Sequence, residues 1–182
     1  GSYPQAVARL VSAFVTGVQS AGIGAVTKHF PGFNDLEGDP ALVDVLLQTS
    51  RDRLLHNALP FTAAIDAGTR AIMTGPAPVA ALDRHNAAST SPAVIAMLRN
   101  DFGFNGLIVS DDLDAPATMR GRSLLETAVA SVSAGADLLL VGGGPHLDAL
   151  CDGIAHAART GRLAPERLAE AAVRVRQNAA RG

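Results

Sequence analysis

Short apolar runs alternate along this chain with longer segments whose apolar residues recur three or four positions apart, the signature of strands set between helices. Residues 5 to 21 (QAVARLVSAFVTGVQSA) carry the helical spacing and stop at Gly22. GAVTKHF then reads as a buried strand, and residues 41 to 58 predict a helix with PFTAAIDAG as a shorter one behind it. RAIMTG is the second strand. TSPAVIAMLRNDFG opens on a Ser91 cap with Pro92 in the first turn and closes on Gly103. GLIVSDD is the third strand, SLLETAVASVSAG a helix, and ADLLLVGGG the fourth strand. Two helices, about 146 to 160 and 165 to 180, finish the chain.

Apolar strands separated by helices imply an α/β fold with a parallel sheet. A doubly wound sheet and a (β/α)₈ barrel both fit, and both place ligands at the C-terminal ends of the strands. The polar groups gather there: Lys28 and His29 after the first strand, Thr74 after the second, Asp111 and Asp112 after the third, Gly142 to Gly144 after the fourth. Four strands make half of an eight-stranded barrel.

Composition narrows the classes. The chain has 182 residues, 48% of them hydrophobic, which suits one compact domain with a sizeable core. A net charge of −2 without a basic run argues against nucleic acid as a partner. No apolar run approaches the roughly 18 residues of a membrane span. Gly1-Ser2 reads as an expression scar, leaving residues 3–182 as a single domain and the compartment unassigned. Cys151 is the only cysteine, and His56, His85, His146 and His156 have no partner at metal-ligand spacing, so neither metal nor cofactor is expected. VGGGP reads as a tight turn rather than a phosphate cradle. Lys28 is the only lysine in the chain.

KHFPG, PFTAAIDAGTRAIMTG, LRNDFGFNGLIVSDDLD and AVASVSAGADLLLVGG together resemble the barrel domain of glycoside hydrolase family 3. The branch they resemble is that of the bacterial β-N-acetylhexosaminidases of cell-wall recycling. The likeness runs in order from about residue 4 to residue 180 and covers the C-terminal half of that barrel, which implies a four-stranded (β/α) half-barrel. It also implies that Asp111 occupies the position of the retaining nucleophile and that Asp39 is the aspartate that orients the proton donor. The donor itself, a histidine in that branch, is replaced by Ala41. Phe33 and Gly75-Pro76 stand where two further histidines belong. Lys28 and His29 would hydrogen-bond sugar hydroxyls, or form a charge pair with Asp111 that supports the fold. Asp35, Glu37 or Asp39 are the carboxyls available as a substitute acid.

Loss of a general acid typically costs about 10²–10⁴ in rate. The expectation is therefore a degenerate, non-catalytic module that binds an N-acetylglucosamine-containing glycan or a protein partner. The alternatives are a working β-N-acetylhexosaminidase with Asp111 as nucleophile, and one half of an enzyme whose other half lies on a separate polypeptide. Open edges at GAVTKHF and ADLLLVG, with Ala25, Ile72, Ile108, Leu139 or their neighbours facing inward, predict a homodimer that closes the barrel. The competing arrangement covers those edges with the terminal helices.

Overall fold

The computed structural model describes residues 3–33 and 36–180. In chain order it builds helix α1 (Pro4–Ser20), strand β1 (Val26–Phe30), helices α2 (Arg51–Asn57) and α3 (Leu59–Asp66), and strand β2 (Ala71–Thr74). A hairpin of β3 (Pro78–Val79) and β4 (Asp83–Ala87) follows, then helix α4 (Pro92–Ala96), which runs on as a π-helical turn over Met97–Asp101. Strand β5 (Leu107–Asp112), helices α5 (Pro116–Met119) and α6 (Leu124–Ala134), strand β6 (Leu138–Leu140) and helices α7 (Leu147–Arg159) and α8 (Pro165–Ala179) complete it. The main sheet has the order β1-β2-β5-β6 with every neighbouring pair parallel. Because strand order never reverses there is no switch point of the doubly wound kind. The expected α/β half-barrel is what forms.

Each strand has two unlike faces. Ile72, Ile108 and Leu139 pack against Leu54, Phe61, Val94 and Leu98, so the helices cover that side. The other face carries the row Val26–Ala71–Leu107 and, above it, Met73–Val109–Leu138. Val175 of α8 rests on Ala71, Leu107 and Val109 at the lower end of this face. The rest is open: Val26 is 50% exposed and Leu138 42%. Ile72, Ile108 and Leu139 thus point outward to the helices, and Ala25 packs with Val15 and Ala64 beneath α1 and α3. Their immediate neighbours are the inward ones. With both faces apolar, the sequence holds no parity signal, and a shift of one residue inverts the assignment.

The helix predicted over 41 to 58 is a correction. Only Arg51–Asn57 is helical, started by Ser50, whose hydroxyl accepts the Arg53 N–H. Upstream, Leu47 donates its N–H to Pro78 O at 2.9 Å and accepts the Ala80 N–H at 3.0 Å, extending the β3 hairpin. Val45 and Leu47 are buried while Asp44 and Gln48 are exposed, a period of two rather than 3.6. The hairpin went unread because Asp83–Ala87 has polar residues at every position but its last.

Below the sheet, Asp137 has a fully buried side chain that accepts from Arg99 at 2.7 Å, from Arg167, and from the Ile108 N–H at 3.0 Å. The charge is tolerated there because cations and an N–H saturate it. It fastens α8 and the π turn after α4 to the start of β6.

Candidate active site

Of the groups at the C-terminal ends of the strands, His29, Asp111 and Asp112 line one cleft of about 500 Å³, together with Phe33, Asp39 and Ala41. Asp111 is the penultimate residue of β5, and its backbone is held from behind. Its N–H donates to Ser89 Oγ at 2.8 Å, and that buried hydroxyl also lies 2.9 Å from Thr74 Oγ1 and 3.0 Å from Gly75 O. One carboxylate oxygen of Asp111, Oδ1, accepts the Asp112 N–H at 2.7 Å. The other, Oδ2, is buried without a hydrogen-bond partner, 3.5 Å from His29 Nε2, in a side chain 15% exposed. A carboxylate with one tethered and one unengaged oxygen can attack an electrophilic carbon or accept from a hydroxyl.

His29 is held neutral at ordinary pH. Burial pushes its imidazole below the usual histidine range; Asp111 opposes the shift, and the charge of Lys28 adds to it. Its ring stacks on Phe33 with centroids 5.0 Å apart and planes 15° from parallel. The edge of Phe33 in turn rests against Gly75, where an added Cβ would stand 2.6 Å from its Cε1. The phenyl ring and the missing Cβ are therefore complementary. Two positions that depart from the resemblance, Phe33 and Gly75, depart together.

Asp39 does not reach toward a donor. Its Oδ1 accepts the Ala41 N–H at 2.9 Å, a local turn that uses the carboxylate as backbone support. Glu37 is exposed, and Asp35 lies outside the described residues. Asp112, which with Asp114 reads from the sequence as a loop-ordering group, is the acidic group whose titration is most displaced. Its carboxyl is pushed up to about 6, first by a hydrogen bond with Asp114, then by burial and the charges of Asp114 and Asp111. Asp114 moves the other way: the hydrogen bond from Asp112 leads, and the Gly142 N–H, donated at 3.2 Å, contributes. That contact also explains the glycine, since a Cβ on residue 142 would come 2.6 Å from Asp114 Oδ2. The glycine-rich turn thus gives its first N–H to a carboxylate. The D-x-D spacing of 112 and 114 was the available signal.

Lys28 and His29 part company. His29 faces Asp111, whereas Lys28 is exposed on the open face of the sheet beside Val26, Met73, Val109 and Leu138. Of the two residues expected to pair with Asp111, His29 is the one in contact among the described residues, and the expectation is corrected for Lys28.

A parallel (β/α) sheet whose third strand ends in a half-tethered carboxylate, facing a histidine across a cleft, is the frame of a glycosidase-type barrel. The model of the glycosyl hydrolase family 3 N terminal domain matches residues 1–178, and the chain belongs to that family. A beta-hexosaminidase of Nitrosomonas eutropha is 34% identical over 139 residues, covering 76% of this chain and 40% of the relative. One from Neisseria gonorrhoeae is 36% identical over 152 residues, covering 82% and 42%. The chain thus spans about two fifths of the length of these relatives. Among solved structures, a glycoside hydrolase family 3 β-N-acetylglucosaminidase from Paenibacillus sp. superimposes with a TM-score of 0.93 at 33% identity, over 100% of this chain and 35% of that one. A family member from Mycobacterium smegmatis gives 0.89 at 29%, over 100% and 57%.

Proposed function

We propose that this chain is a non-hydrolytic member of its family that binds an N-acetylglucosamine-type residue of a cell-wall glycan in the cleft at Asp111. The observation that carries this reading is the state of Asp39, whose carboxylate supports the backbone of Ala41 at 2.9 Å where a donor would be oriented. Ala41 offers no proton, and Phe33 covers His29 with an apolar ring. Sugar rings pack their C–H faces on such aromatic surfaces, while Asp111 Oδ2 accepts from a hydroxyl. The test pairs titration calorimetry with N-acetylglucosamine oligomers and an assay with an aryl β-N-acetylglucosaminide. Expected are binding that Asp111→Ala weakens and a rate equal to blank. Turnover abolished by Asp111→Asn, or no binding at millimolar sugar, would refute the reading.

One observation favours a second reading, a retaining β-N-acetylhexosaminidase with Asp112 as acid. A carboxyl raised to about 6 stays partly protonated near neutrality and lines the cleft of Asp111. Activity that falls as pH rises through about 6, and that disappears in both Asp111→Asn and Asp112→Asn, would establish it.

A further inference from the structure

We infer that the ion pair between Arg120 and Asp44 is a latch across the cleft, and that its breaking is the step by which a ligand enters and leaves. This rests on the glycan reading only so far as the cleft takes a ligand. The cleft lies between two walls: Asp39, Pro40 and Ala41 line one, Asp114, Ala115 and Pro116 the other. The second wall is fixed in place. Asp114 accepts the Gly142 N–H, Ala117 and Thr118 of α5 are fully buried, and Arg122 donates to Asn86 Oδ1 of β4 and to Thr90 Oγ1.

The first wall is folded on itself. Asp39 O accepts the N–H groups of Leu42 and Val43, both at 3.0 Å, and Asp39 Oδ1 accepts that of Ala41. Gly38 turns the chain at a φ of 107°, where an added Cβ would come within 3.2 Å of Val43 Cγ2 and Val45 Cγ1. Gly38 to Val45 is therefore one compact piece, and two adjacent residues join it to α5. Val45 is buried against Ala117 and Ala77, and Asp44 accepts from Arg120. Of these two contacts the ion pair is the one that water reaches, its side chains being 24% exposed at Arg120 and 58% at Asp44.

The backbone of Arg120 supports that role. It caps α5 at φ 49° and ψ 45°, and among the described residues it is the only non-glycine with a positive φ. A left-handed residue after a helix is ordinarily glycine, because a Cβ there crowds the following carbonyl. The position carries a steric cost that glycine would avoid, and what the arginine adds is its bond to Asp44. A pair this exposed is worth up to about fivefold in an equilibrium, about 1 kcal/mol. The latch is closed over both the empty and the occupied cleft, so its loss should speed entry and exit alike and leave the affinity unchanged.

A buried thiol reads the lifting of the wall. In a Cys151→Ser background, which removes the exposed native thiol, Ala117→Cys places a sulfur beneath Val45 that reacts with an aromatic disulfide only when the wall lifts. Ala77→Cys, also packed on Val45, is the second reporter should the first not fold. Asp44→Asn and Arg120→Gly should each raise the labelling rate about two- to fivefold, the glycine doing so although it relieves the backbone. Asp44→Arg combined with Arg120→Asp should return the rate to that of the parent. Ala64→Cys, on α3 beneath α1, should label alike in every variant, which separates lifting of the wall from general loosening. For an N-acetylglucosamine oligomer, association and dissociation should quicken by the same factor. Labelling that neither single change alters, an equal rise at residue 64, or a swapped pair as fast as the single changes would overturn the inference. So would lost affinity at an unchanged association rate, since Asp44 or Arg120 would then touch the ligand. Absence of oligomer binding would refute the glycan reading, while the labelling rates would still decide the latch.

Discussion

Gly75→Ala is the most direct probe of the contact that replaces two imidazoles. The added methyl would stand 2.6 Å from Phe33 Cε1 and 2.7 Å from Cζ, about an ångström inside van der Waals contact. Gly75 cannot retreat, because its N–H donates to Phe30 O at 2.8 Å and its carbonyl accepts from Ser89 and sits behind Asp111. The ring must swing away and lose its stack on His29. A stacked aromatic pair is worth about 0.5–1.5 kcal/mol and overpacking costs about 1–3 kcal/mol, so a loss of about 2 kcal/mol is expected. For a domain of this size that is a fall of about 4–8 °C in melting temperature. The decisive measurement is the double-mutant cycle with Phe33→Ala. In that background Gly75→Ala should cost less than about 0.5 kcal/mol, giving a coupling of about 1.5 kcal/mol. Equal costs in both backgrounds, or a neutral Gly75→Ala, would show that Phe33 does not rest on Gly75 and that the cleft is not filled as described.

Asp137→Ala strips a fully buried carboxylate from Arg99, Arg167 and Arg174 and should cost about 3–5 kcal/mol in chemical denaturation, or unfold the chain at 37 °C. Asp112 is raised to about 6 in the fold, so its contribution to stability is full below its unfolded value near 4 and is lost as pH climbs through 6. Asp112→Asn should therefore flatten stability between pH 4 and 6, read by urea melts at each pH; an unchanged slope would remove Asp112 as the titrating group. Ser123 and Glu126 form a reciprocal cap at the start of α6, and Ser123→Ala should cost about 1 kcal/mol in the same urea assay.

The sequence was most informative where one physical signal stood alone. A short apolar run closing on two aspartates gave β5 and Asp111, and the apolar spacing of SLLETAVASVSAG gave α6. It was least informative where two signals competed. The run from Ala41 to Ser50 is apolar enough for a helix, yet the partner of Leu47 is the hairpin at Val79, thirty-two positions on, and local spacing cannot report it. Which face of β2 and β5 turns inward was hidden for the same reason, as both sides are apolar. At the site, Asp111 and His29 were legible as a pair of residue types. That His29 and not Lys28 would meet Asp111 depends on which way consecutive side chains point within β1. The fit of Phe33 into the space over Gly75 needed two residues forty-two positions apart to be read as one surface.

Ser89 never touches the cleft's contents, yet its hydroxyl receives the Asp111 N–H while its carbonyl accepts from Ser131 at 2.8 Å on α6. The Asp111 carboxylate is thereby mounted on the interior of the domain, and among the described residues none of these hydrogen bonds involves the loop from Pro31 to Leu46 that carries Phe33, Asp39 and Ala41. Position and surroundings in such a scaffold are divisible: the buried hydroxyls fix the carboxylate, the loop shapes the cleft around it, and the second can be rewritten while the first keeps its shape. The loop can therefore change its side chains without moving the carboxylate, and what the cleft accepts is set apart from what holds it open.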